Sequence, residues 1–150
     1  MFAPDDNVTR EEFAKILVGA MGLDKGQTVL NGFVDVKENE WYARSVNIAK
    51  NAGIVNGIGG GKFGTGMSIT REDMVVMIYN ALKSRGVSMP VADLRFDDAS
   101  MISGYAVNAV GALYKMGAVN GVSETEFAPK GIASRAQAAK IIYGVLEYLQ

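Results

Sequence analysis

The chain has no cysteine and no histidine among its 150 residues. Disulfides and thiolate chemistry are therefore excluded, and so are histidine acid–base catalysis and the common zinc and copper sites. It contains no excess of basic residues, with a net charge of −1, which argues against nucleic acid as the main partner. No apolar run approaches the 18 or so residues needed to span a membrane. Proline is scarce, at three residues, whereas glycine is plentiful at eighteen, a balance that favours helices ended by tight loops.

Within this ordinary globular composition one short phrase is written three times: Val8-Thr9-Arg10-Glu11-Glu12, Ile69-Thr70-Arg71-Glu72-Asp73 and Ala133-Ser134-Arg135-Ala136-Gln137. Each places Thr or Ser at a helix N-cap and Glu, Asp or Gln three residues on, the spacing of a capping box. An apolar residue precedes each cap (Val8, Ile69, Ala133) and another follows at the fourth helical position (Phe13, Met74, Ala138), as a hydrophobic staple requires. Each phrase also puts an arginine at the first helical position, where the helix dipole mildly disfavours a cation. Two readings follow. Arg10, Arg71 and Arg135 meet an anion at a helix N-terminus, or they lie over apolar surface and pair with nearby acids.

Apolar spacing places helices at Thr9–Ala20, with Phe13, Ile16, Leu17 and Ala20 inward, and at Trp41–Ala52, with Tyr42, Val46 and Ala49 on one face. A third, opened by Thr70, turns Met74, Met77, Ile78, Ala81 and Leu82 inward. Further helices are predicted to open near Ser103 and Ser134. Gly22 and Gly53 fall where left-handed C-terminal residues belong, and residues 32–36 read as a short extended piece. Five principal helices with long ordered loops define an all-α fold, with Phe63 and Phe127 pinning the loops.

The rest of the text repeats as well. Phe33-Val34-Asp35 is answered by Phe96-Asp97-Asp98, Trp41 by Tyr105, Gly53-Ile54-Val55-Asn56-Gly57 by Gly117-Ala118-Val119-Asn120-Gly121, Phe63 by Phe127 and Thr70 by Ser134, each 63 or 64 residues apart. Phe2-Ala3-Pro4 corresponds in turn to Phe127-Ala128-Pro129. This is a tandem helix–loop–helix array. Residues 1–30 read as the second half of one repeat, and 31–90 and 91–150 as complete ones.

Other sites are weakly indicated. Gly59-Gly60-Gly61 lacks the Gly-Lys-Ser/Thr of a phosphate loop. Asp5-Asp6-Asn7 and Asp97-Asp98 lack the spacing of a calcium loop. No pair of acids forms a hydrolase constellation.

The ordered set of Phe-x-Asp, Trp or Tyr, Gly-x-x-x-Gly, Phe and Thr/Ser-Arg motifs, twice over, resembles the S-layer homology domain. That resemblance implies a non-catalytic, cofactor-free module that anchors bacterial surface proteins to the cell wall. It also implies an extracellular, cell-surface location and a pseudo-threefold helical bundle. Grooves between repeats would hold an anionic secondary cell-wall polysaccharide, often one carrying a pyruvate ketal. The implied binding residues are Arg10, Arg71 and Arg135, with Trp41, Tyr105, Asn56, Gly57, Asn120, Gly121, Asp35 and Asp98. For several of these the residues also admit a structural role: packing for Trp41 and Tyr105, left-handed backbone for the glycines, local turns for the asparagines, loop amides for the aspartates. Departures at Gly64-Thr65, Tyr105 and Gln137 imply unequal grooves. The alternative function is a structural interaction module pairing with repeats of another protein. Each arginine helix is expected to pack on the Trp/Tyr helix of its own unit, and the first half-repeat lacks one upstream. Either the neighbouring repeats close around the helix from Thr9 to Ala20, or, the favoured reading, a second copy covers it, as a homo-oligomer or swapped dimer. Arg71→Ala is expected to lose binding with little loss of stability.

Overall fold

The computed structural model describes residues 5–91, 94–123 and 125–149, so the Phe2-Ala3-Pro4 correspondence lies outside the described residues. The described residues contain five α-helices: α1 (Arg10–Ala20), α2 (Ala43–Asn51), α3 (Arg71–Ser84), α4 (Val107–Lys115) and α5 (Arg135–Tyr148). Among the described residues the only extended pairings are isolated bridges, and the fold is all-α.

Local chemistry sets the three arginine helices. Thr9 and Ser134 close full capping boxes with Glu12 and Gln137, as the spacing predicts. Thr70 makes only half of one: its hydroxyl accepts the Asp73 amide at 3.2 Å, but the Asp73 carboxylate does not return to the Thr70 amide. Aspartate is a methylene shorter than glutamate, and this one is held elsewhere. The aromatic helices lack such a signal. No side chain caps α2, and Trp41 and Tyr42 lie in the turn before it, so the helix starts at Ala43 rather than Trp41. Likewise α4 starts at Val107, after a 3-10 turn at Gly104–Ala106. Residues 32–36 form a turn at Val34-Asp35 instead of an extended piece.

The pseudo-threefold arrangement is visible in the backbone. The residues just before the caps, Val8, Ile69 and Ala133, are fully buried and form a closed ring of hydrogen bonds. The Val8 amide donates to Ala133 (3.1 Å), Ala133 to Ile69 (3.0 Å) and Ile69 to Val8 (2.8 Å). A second ring lies just outside it. Arg10, Arg71 and Arg135 donate their amides to the carbonyls of Met67, Gly131 and Asp6 at 2.9, 2.8 and 2.9 Å. The three helix N-termini thus converge on one axis, each receiving a carbonyl from the following unit.

Helix pairing corrects one expectation. An arginine helix does not pack on the aromatic helix of its own unit; α1 packs against α2, and α3 against α4, while α5 touches α1. The α1 face is therefore covered within the chain, with Phe13 and Leu17 buried, and the reason for expecting a second copy there falls away. Among the described residues the arginine helix with no aromatic helix packed closely on it is α5. Ile16, expected in the core, is 43% exposed. Its counterpart Met77 is buried and lines the same groove as residues 54–58.

Phe63 and Phe127 are completely buried, each against the Phe of its Phe-x-Asp motif, with Phe33 and Phe96 at 5.5 Å between ring centroids. The long loops are pinned as the sequence predicts.

Candidate functional site

The aspartate of each Phe-x-Asp motif organises the loop beneath the site. Asp35 accepts the amides of Phe63 (2.7 Å), Gly64 (2.8 Å) and Thr65 (3.0 Å). Asp98 accepts those of Phe127 (2.9 Å) and Ala128 (2.8 Å), because Pro129 has no amide to offer. Burial works to raise both carboxyls, but the amides outweigh it and hold them below the usual carboxylate range. The middle residue of each nest is left-handed, Gly64 at φ 98° and Ala128 at φ 58°.

These ordered loops present carbonyls to the arginines. Arg10 Nε donates to Phe63 O at 3.0 Å and its guanidinium lies 5.2 Å from the Phe63 ring centroid. Arg71 repeats this with Phe127 at 2.9 and 5.0 Å, and its Nη2 also donates to Asn120 O at 3.1 Å. Each arginine thus clasps the loop of the next unit. Burial lowers the Arg71 pKa, with Asp98 opposing the shift. Removing Arg71 would leave the buried Phe127 carbonyl unpaired, so a stability cost is expected from Arg71→Ala beside any loss of binding. The α3 N-terminus is also no open anion site. Its first three amides go to Gly131 O, Pro129 O and Thr70 Oγ1.

A groove of about 670 Å3 runs along the outer face of α3, within the range of small-molecule sites. Arg10 stands at one end and Lys83 towards the other; Asn108 of α4 and Tyr105 of the turn before it form one wall and residues 54–58 the other, while Val76 and Met77 supply an apolar floor. Asp73 sits beside Arg10. Its Oδ2 accepts Arg10 Nη1 at 2.9 Å, and its Oδ1 accepts a short hydrogen bond from the Tyr105 hydroxyl. Burial, joined by the Asp73 hydrogen bond, pushes the Tyr105 pKa well above the ordinary phenol value. Asn80 donates to Ile54 O at 3.1 Å and fixes the loop wall to α3. The α4 wall is fixed by Glu72, which is only 2% exposed and accepts the Ser103 amide (2.9 Å) and hydroxyl (2.7 Å), with Lys130 paired to it.

Of the residues singled out in the sequence, Arg10, Asn56, Gly57 and Tyr105 meet in this groove. Asn120 and Gly121 line a second hollow of about 500 Å3 with Phe96, Tyr114 and Ser123. Arg71 lies beside it through Asn120. Gly57 and Gly121 also have no room for a side chain: an added Cβ would sit 2.3 Å from Lys62 O or Glu126 O. Trp41 is 55% exposed, but it lies outside the groove, edge-on to Tyr42 and beneath Lys15. Arg135 pairs with Glu12. Asp35 and Asp98 lie under the loops. Asp73, Asn80, Lys83 and Asn108 are groove residues that sequence reasoning missed. The signal was the spacing of 73, 76, 77, 80 and 83 on one helical face, where charged and apolar residues mix.

The repeat, its closed threefold and this loop architecture define a class, and comparison with known proteins gives the same one. The S-layer homology domain family matches residues 1–14, 32–75 and 95–139, and the chain belongs to it. An amylopullulanase of Thermoanaerobacterium thermosulfurigenes is 38% identical over 97% of this chain, which spans 8% of that protein. Exoglucanase XynX of Acetivibrio thermocellus is 37% identical over 97% of the chain and 13% of its own length. A cellulosome-anchoring protein of Acetivibrio thermocellus is 25% identical over 98% of the chain, which covers 34% of it.

Proposed function

We propose that this chain is a non-catalytic, cell-surface anchoring module that binds an anionic, pyruvylated secondary cell-wall polysaccharide in its inter-repeat groove. The observation that carries this reading is the α3 groove itself: elongated, amphipathic, and bounded by Arg10, the 54–58 loop and Tyr105. An apolar floor beneath converging polar groups suits sugar rings, which offer an apolar face and a rim of hydroxyls. Family membership supports the anchoring role, as does the similarity to a protein named for cellulosome anchoring. A homo-oligomer or swapped dimer is not required, since Arg10, α3 and α4 all come from one chain.

The alternative, a structural interaction module, draws support from the acid-paired, largely buried Arg10. A concave groove beside that arginine favours the glycan. Co-sedimentation with purified sacculi, before and after extraction of the secondary polymer, tests the reading. Binding that disappears on extraction supports it; binding that survives extraction points to peptidoglycan or protein instead.

A further inference from the structure

The groove has two cationic positions, and their surroundings differ. Arg10 is 2.9 Å from the Asp73 carboxylate, which also receives Tyr105. This unit has no net charge, and an anion approaching Arg10 would meet the like charge of Asp73 on the same guanidinium. Ten residues further along α3, about 15 Å at the usual helical rise, stands Lys83. It lines the same groove and lies 5.2 Å from the Tyr79 ring centroid. Among the described residues no acid pairs with it. A lysine in a final helical turn ordinarily complements the dipole. Here, however, the ammonium is drawn over a ring that itself lines the groove.

We propose that Lys83, rather than Arg10, reads the acidic group of the glycan, while the Arg10–Asp73–Tyr105 cluster takes uncharged hydroxyls at the other end. This deepens the anchoring reading above and rests on it. It sets a polarity for the bound chain, acidic substituent towards the C-terminal end of α3. It also identifies a specificity-determining residue outside the repeated Thr/Ser-Arg motif.

Sacculi of the producing bacterium, with and without the secondary polymer, provide the test, with binding measured across a salt series. Lys83→Ala should weaken polymer-dependent binding about tenfold and flatten its salt dependence, without moving the thermal midpoint. Lys83→Arg should restore most of both. Lys115→Ala removes a lysine from the last turn of α4, outside the groove, and should change neither. Asp73→Asn should strengthen binding by unmasking Arg10. Wild-type affinity and salt slope in Lys83→Ala, on sacculi that the wild type binds through the polymer, would overturn this assignment alone. Failure of the wild type to bind in a polymer-dependent way would overturn the anchoring reading and this assignment together.

Discussion

The Arg10 groove and its counterpart beside Arg71 are built on one backbone and finished differently. Both arginines clasp the following loop through Nε and lie over its buried phenylalanine. At the third position of the next helix, however, Asp73 turns outward to Arg10, whereas Gln137 turns back and closes its own capping box. Lys83 corresponds to Glu147, so the matching position on α5 carries the opposite sign. The first groove has α4 as its wall; α5 has no aromatic helix packed against it among the described residues. A repeat fixes backbone geometry three times over, but one side chain decides whether a carboxylate caps a helix or guards an arginine.

The comparison is broken most severely by detaching a wall. Glu72→Ala should destabilise the fold by about 3 kcal/mol, because a buried acceptor is removed from Ser103 and Lys130. Glu11→Ala, at the equivalent joint, should cost roughly 1–2 kcal/mol, since among the described residues Glu11 accepts only the Gly66 amide. Urea melts of the two variants would read the difference, and equal losses would contradict it.

Next in size is the left-handed loop residue. Gly64→Ala should cost about 1–2 kcal/mol, since an added Cβ would lie 3.0 Å from Arg10 Nε at a φ of 98°. Ala128→Gly relieves the same conformation and should leave stability within about 1 kcal/mol of wild type. Thermal melts distinguish them.

Acid sensitivity gives a finer contrast. Asp35 and Asp98 have folded pKa values below their unfolded ones. Their contribution is therefore complete above about pH 4 and is lost as pH falls through the folded values. Asp35→Asn should flatten the acid limb of a stability–pH curve more than Asp98→Asn, because Asp35 holds three amides and Asp98 two.

The smallest effect is the sharpest. Asp73→Glu should reach back to the Thr70 amide, complete the third capping box and add a few tenths of a kcal/mol. It should also release Arg10, so tighter binding with a slightly raised melting midpoint is the paired expectation.

What was legible in the sequence was local. Thr9, Thr70 and Ser134 cap their helices because cap and staple lie within five residues of each other. Gly53 and Gly22 are left-handed for the same short-range reason. Trp41 misled because a turn, not a cap, precedes α2. Which helix packs on which depends on partners tens of residues away, so the cover of α1 and the exposure of Ile16 were assigned wrongly. Part of the groove was visible through repeated motifs, at Arg10, Asn56, Gly57 and Tyr105. Lys83 and Asp73 differ between copies, and no repeat pattern points to a residue that does not repeat.

The hydrogen-bonded ring at Val8, Ile69 and Ala133 also carries a consequence in time. Its first link joins residues 61 apart, and its last joins Val8 to Ala133, nearly the whole length of the chain. Closing such distant contacts loses chain entropy before any reward arrives. A chain emerging from its N-terminus can build α1 on α2 early, but the ring stays open until the third unit arrives. Assembly should therefore finish late and in one cooperative step, with α5 as the final element to lock.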